Sequence, residues 1–142
     1  MQLHEIRKAL HGEAYDFLRT NPHLGTRVML LGLGGSHAYG TDTETSDLDI
    51  RGCAVLSKAE ILCGESFEQV TDVATDTTIY AFPKLIRLLK ECNPNTIELI
   101  GLKPEHYLYL SEAGKLLLDN RKLFLSQRAV NSFSGYATAQ FR

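Results

Sequence analysis

Two aspartates separated by one apolar residue, Asp47 and Asp49 in DLDIRG, are the residues of this chain best suited to chemistry. In an extended strand, side chains two positions apart project to the same side, so Asp47 and Asp49 point together while Leu48 and Ile50 turn inward. Paired carboxylates repel at neutral pH unless a cation lies between them, and hard oxygen donors are what magnesium or manganese takes. Arg51 continues the same two-residue period, either to meet a triphosphate oxygen or to form an ion pair with one of the acids. An isolated acid-apolar-acid triplet also ends many strands in water. Here, however, Gly34, Gly35 and Ser36 stand just ahead of it. A side-chain-free turn lets a phosphate approach backbone N–H groups, with the Ser36 hydroxyl as a further donor. A short helical turn over 37–40, beginning at His37, would add amides to the same anion site. A two-metal site, with ions roughly 4 Å apart, needs a third carboxylate. Asp76 is the expected one, at the start of a strand over 75–82, and Asp72, expected in the preceding loop, is the alternative.

Competing motifs fail at particular positions. GLGGSH lacks the last glycine of a dinucleotide-binding GxGxxG, no GK[ST] is present for a P-loop, and Lys58 stands where an EF-hand loop needs glutamate. GGSHA approaches the GxSxG nucleophile elbow with Ala38 for the second glycine, but no histidine and acid are recognisably placed to complete a triad. His4, His11, His23 and His106 show no metal-ligand spacing. Cys53, Cys63 and Cys92 are odd in number and form no CxxC pair, so buried reduced thiols are expected instead of a disulfide framework or a zinc site.

The elements that must carry these residues follow from periodicity. Leu3, Ile6, Leu10, Ala14, Phe17 and Leu18 predict an amphipathic helix over 3–19, ending before Asn21-Pro22 and packing on a sheet. RVMLLGL, residues 27–33, is a buried strand stopped by Gly34-Gly35. After the polar loop TDTETS, residues 47–56 form a second strand returning hairpin-like into the core, followed by a helical turn over 57–63. TDTTIYAF, residues 75–82, has strand composition, and Pro83 opens a helix buried through Leu85, Ile86, Leu88 and Leu89. Asn93-Pro94 caps another helical segment. The rest, about 104–142, reads as helical, with helices over 111–119 and 126–142, the latter starting at Ser126 and running on to Phe141-Arg142. No repeat, low-complexity tract or linker interrupts the chain, so 1–142 is read as one unit with a soft change near residue 104.

The composition, 142 residues with 44% hydrophobic and 23% charged, allows a single soluble domain with a closed core. No apolar run approaches the ~20 residues that cross a bilayer, and the N-terminus carries no secretory signal, so the cytoplasm is the expected address and no membrane partner is expected. A net charge of −2 disfavours an extended grip on a nucleic-acid backbone. Lys115, Arg121, Lys122, Arg128 and Arg142 are locally basic, as a solvated helix face or a phosphate contact.

GSHAYGTDTETSDLDIRG, residues 35–52, resembles the active-site segment of the polymerase-beta-type nucleotidyltransferases: Gly-Ser, a spacer, then acid-apolar-acid on a strand. It is also similar to a bacterial and phage branch of that superfamily belonging to an RNA-repair pathway, a similarity that continues through NPNTIELI (93–100) and FLSQRA (124–129). The resemblance implies an α/β (α+β) fold, a small mixed sheet flanked by helices with a helical C-terminal part. It implies two magnesium or manganese ions held by Asp47, Asp49 and a later acid, with a nucleoside triphosphate such as ATP cradled by Gly35 and Ser36. His37 stands where the family often has arginine, Ala81-Phe82-Pro83 replaces a more polar stretch, and relatives continue beyond the last residue. The reaction so implied moves a nucleotidyl group to an acceptor hydroxyl with release of pyrophosphate. An RNA or tRNA end is the suggested acceptor, and a protein or small-molecule hydroxyl would use the same chemistry. A nucleotide-binding or protein-interaction module without turnover is the alternative reading, and a structural domain with solvated acids a third.

Overall fold

The computed structural model describes residues 3–41, 43 and 47–140. The middle of the expected polar loop (Asp42 and Glu44 to Ser46) and the expected helix end at Phe141-Arg142 lie outside the described residues. Five strands form one mixed sheet: β1 (Val28–Leu33), β2 (Ile50–Ala54), β3 (Gln69–Asp72), β4 (Thr77–Ala81) and β5 (Tyr107–Leu110), in the order β3-β4-β2-β1-β5. β1 runs antiparallel to both β2 and β5, and β3 antiparallel to β4, whereas β2 and β4 are parallel. The fold is mixed α/β with a five-stranded sheet flanked by helices, as expected.

The sheet is covered on both faces, which is why its central strands read as continuous apolar runs and not as alternating ones. Alternate residues feed opposite cores: Leu31, Ile50, Ala54 and Ile79 pack under the N-terminal segment with Leu10, Tyr15 and Leu18. Leu30, Cys53 and Tyr80 pack on the other face with Leu85, Leu89, Leu99 and Leu117. The second layer is supplied by α5 (Phe82–Lys90), α6 (Pro94–Ile100) and α7 (Glu112–Asp119). Asn93 and Ser111 cap α6 and α7 through their side chains, satisfying N–H groups that a helix start otherwise leaves orphaned.

The N-terminal helix expected over 3–19 is broken. α1 (Leu3–Ala9) and α2 (Phe17–Thr20) are separated by a 3-10 turn over Glu13–Tyr15, with Gly12 extended before it. The break frees backbone carbonyls, and the Arg19 guanidinium takes those of Leu10 at 2.8 Å and Gly12 at 3.2 Å. Two further differences concern strands. The second strand starts at Ile50, so Asp47 to Asp49 precede it, and the strand expected from residue 75 starts at Thr77. Asp72, expected in a loop, ends β3, and β5 lies within the segment expected to be helical. α4 (Lys58–Cys63) answers the helical turn expected over 57–63, with Ser57 and Glu60 closing a reciprocal capping box. The last helix, α8 (Arg128–Gln140), begins two residues after the expected Ser126. Pro83 is the second residue of α5, not its first.

Candidate active site

The glycine turn and the acid motif meet at one end of the central hairpin. The β1–β2 ladder pairs Leu33 with Ile50 and continues one step beyond, where the Gly34 N–H donates to the Asp49 carbonyl at 2.8 Å. This step brings Gly34 over the Asp49 side chain, where a Cβ on residue 34 would lie 2.7 Å from Asp49 Oδ2. Gly35 follows at φ +55°, in the left-handed region that favours glycine, and opens α3 (Gly35–Tyr39). Both glycines are therefore required, one for clearance and one for backbone conformation. α3 carries Ser36 and buries His37, and the Ser36 carbonyl accepts from the Thr41 N–H at 3.0 Å.

Arg51 forks the Asp49 carboxylate, Nη2 to Oδ2 at 2.8 Å and Nε to Oδ1 at 3.2 Å. Of the two roles open to Arg51, the ion pair is the one made here. Both side chains are mostly buried, at 25% and 15% exposed, so their attraction is less screened than that of a surface pair. Burial works to lower the Arg51 pKa, but the hydrogen bonds and charge of Asp49 outweigh it and the net shift is upward.

Asp76 lies beside this motif. β2 and β4 pair Ile50 with Thr77, and one step back the Ile50 N–H donates to the Asp76 carbonyl at 3.1 Å. Asp76 is not the first strand residue but an exposed turn residue at φ +45°, a conformation that aspartate tolerates better than most. Asp47 and Asp76 both line one cavity, with Thr75 and Tyr15 among its other walls. Asp72 is engaged elsewhere: its Oδ2 accepts from the Thr75 N–H at 2.9 Å and the Thr75 hydroxyl at 2.8 Å, closing the β3–β4 turn.

A second cavity of about 250 Å³ opens on another side of the glycine turn, bounded by Gly34, Gly35, Tyr39, Arg51, Asn95, Glu98 and Lys103. Partial burial, followed by the neighbouring Glu98 carboxylate, pushes the Tyr39 phenol up to about 12. Tyr39, Asn95, Glu98 and Lys103 are residues that sequence reading passed over. The available signal was the three-residue spacing of Asn95 and Glu98, which puts both on one face of a helix.

The three aspartates offer the all-oxygen donor set of a hard divalent cation, and the Asp49 carboxylate itself fills the space that the bare Gly34 leaves. In donor chemistry these residues suit magnesium or manganese. Among the described residues no three His, Cys, Asp or Glu side chains converge as a metal-holding group: Asp47 and Asp76 share a cavity, while Asp49 is turned to Gly34 and Arg51.

A mixed sheet with a glycine turn laid on an acid-apolar-acid segment is the arrangement of a polymerase-beta-like nucleotidyltransferase branch. The family model described as "RNA repair pathway DNA polymerase beta family" matches residues 3–142, and the chain belongs to that family. It is 26% identical over 119 residues to an uncharacterized 38.9 kDa protein from the nrdC-mobD intergenic region of Enterobacteria phage T4. The match covers 75% of this chain and 35% of the phage protein, so the chain spans about a third of that relative's length. No solved structure matches the chain. No helix among the described residues is long and apolar enough to cross a membrane.

Proposed function

We propose that this chain transfers a nucleoside monophosphate from a nucleoside triphosphate to an acceptor hydroxyl, releasing pyrophosphate, with an RNA or tRNA end as the acceptor and the cytoplasm as its place of work. The observation that carries the reading is the packing of the Gly34-Gly35 turn directly on Asp49, which joins a phosphate-binding element to a metal-binding one. Gly35, Ser36 and the backbone amide of His37 take the triphosphate, with Arg51 as a further cationic contact. Asp47, Asp49 and Asp76 would hold two magnesium or manganese ions. Such ions, when bound, neutralise charge on the triphosphate and favour deprotonation of the attacking hydroxyl. The acceptor oxygen bonds to the α-phosphorus, the bridge to the β-phosphate breaks, pyrophosphate leaves, and Asp76 takes the hydroxyl proton.

Asp76 is favoured over Asp72 as the third acid because the Asp72 carboxylate already holds the Thr75 turn. A second reading, nucleotide binding without turnover, draws support from the neutralisation of Asp49 by Arg51.

The test is incubation of the protein with each α-labelled nucleoside triphosphate, magnesium and total RNA, beside an Asp47→Ala, Asp49→Ala variant. Label entering RNA, protein or a small molecule only with magnesium and intact aspartates supports the proposal and identifies the acceptor class. Metal-dependent binding with no pyrophosphate release supports the binding module instead.

A further inference from the structure

Gly34 and Gly35 border a cavity whose walls are unlike those of the cavity holding Asp47 and Asp76. That acidic cavity is lined by turn residues of the β3–β4 connection. The one between α3 and α6 draws its walls from both helices and from the turn after α6, with Leu33, Leu99 and Leu102 supplying an apolar floor and Tyr39 an aromatic wall. Four polar side chains complete it: Arg51, Asn95, Glu98 and Lys103. An apolar slot with a few convergent polar groups is the general form of a small-molecule site, and 250 Å³ lies just below the usual range of roughly 300–1,000 Å³. It suits one planar ring with part of a sugar better than a longer polymer.

The polar groups have a definite pattern. Glu98 is half-buried on α6, hydrogen-bonded to the Tyr39 hydroxyl and within electrostatic reach of Arg51. An ionised carboxylate has about four lone-pair sites and donates nothing, so contact with Tyr39 leaves it able to accept from a ligand. Asn95, one turn earlier on the same face, and Lys103 supply donors. A ligand matching this wall shows two adjacent N–H donors and a neighbouring carbonyl acceptor. Among the standard nucleobases that is the pairing edge of guanine: N1–H and the N2 amino group toward Glu98, O6 toward Lys103 or Asn95.

We infer that the cavity between α3 and α6 holds the base of the triphosphate, that Glu98 reads it, and that guanine is the base preferred. The inference rests on the nucleotidyl-transfer reading, since it is the triphosphate on the Gly34-Gly35 turn that brings a base to this wall. The Tyr39 ring is available to stack on the base.

Binding of GTP, ATP, CTP, UTP and inorganic tripolyphosphate by calorimetry, with magnesium, tests it in the full chain, in Glu98→Gln and in Lys103→Met. The expected result is GTP binding about tenfold or more tighter than UTP, since a hydrogen bond to a charged group is worth that factor. In Glu98→Gln the preference collapses while tripolyphosphate affinity stays as it was. Lys103, being exposed, is a safe second site, and its loss should narrow the GTP preference severalfold. Four triphosphates bound equally well, or an order of preference that both variants leave unchanged, overturns the base pocket and leaves the triphosphate site standing. Failure of every triphosphate and of tripolyphosphate to bind overturns the nucleotidyl-transfer reading itself, and this inference with it.

Discussion

Asp49 and Arg51, two residues apart at the start of β2, are locked together by a two-point contact of 2.8 and 3.2 Å beneath the Gly34 backbone. The pair is mostly out of water, so removing one partner leaves the other charge poorly compensated. Asp49→Ala is expected to lower unfolding free energy by about 1–3 kcal/mol, and the double variant with Arg51→Met to recover part of that loss. Urea denaturation of the single and double variants checks it. Independent, additive effects would mean the contact contributes nothing.

Gly34 gives a sharper case. A methyl group at residue 34 would lie 2.7 Å from Asp49 Oδ2, and the carboxylate would have to move. Gly34→Ala should cost about 1–3 kcal/mol and release Arg51 from its fork, visible as a less than additive loss when Gly34→Ala and Arg51→Met are combined. Gly35→Ala acts through the backbone instead, since φ +55° costs an L-residue about 1–2 kcal/mol. Thermal unfolding of both variants measures these losses.

Asp72 and Asp76 should separate by role. Asp72→Ala removes the acceptor of two hydrogen bonds from Thr75 and should destabilise the chain by about 1–2 kcal/mol while sparing nucleotide transfer in the folded fraction. Asp76→Gly relieves a positive φ and should be neutral or stabilising by up to about 1 kcal/mol, while abolishing transfer. The reverse pattern, with activity lost in the Asp72 variant, would transfer the third carboxylate to Asp72.

Much of this arrangement is legible in the sequence, for a physical reason. β1 and β2 are buried on both faces, and the Gly-Gly turn and the acids are punctuated by local chemistry, so short-range pattern suffices. The strands that escape notice, β3 and β5, are the two edges of the sheet. In β3 the residues alternate between exposed and half-exposed, and in β5 the YLYL run pairs with β1, some 80 residues earlier. The N-terminal segment keeps its apolar stripe but not its helix, because its broken turn is stabilised by Arg19 from beyond the break. Glu98 and Asn95 were invisible as site residues because only the packing of α6 brings them beside Gly34 and Gly35.

Acid should loosen α4 before the rest. The Ser57 backbone and side-chain hydrogen bonds, followed by His23, hold the Glu60 carboxyl down from 4.5 to about 2. A depressed carboxyl contributes stability that is fully present above its unfolded value and is lost as pH falls through the folded one. The contribution therefore disappears between about pH 4.5 and 2. Glu60→Gln should flatten the pH dependence of stability in that window. Hydrogen exchange of the α4 amides, compared between the two proteins at pH 3 and 6, reads it out, and identical profiles would remove the capping box from the account.

The central claim is nucleotidyl transfer, and it is tested most directly by supplying the same triphosphate labelled in turn at its α and γ phosphates, with magnesium and RNA. The account predicts α label in the acceptor and γ label in pyrophosphate, in equal amounts, with neither released by a folded Asp47→Asn, Asp49→Asn variant. Label from the γ position in the acceptor would make the protein a phosphotransferase. No release from a folded protein that still binds the triphosphate would leave it a binding module.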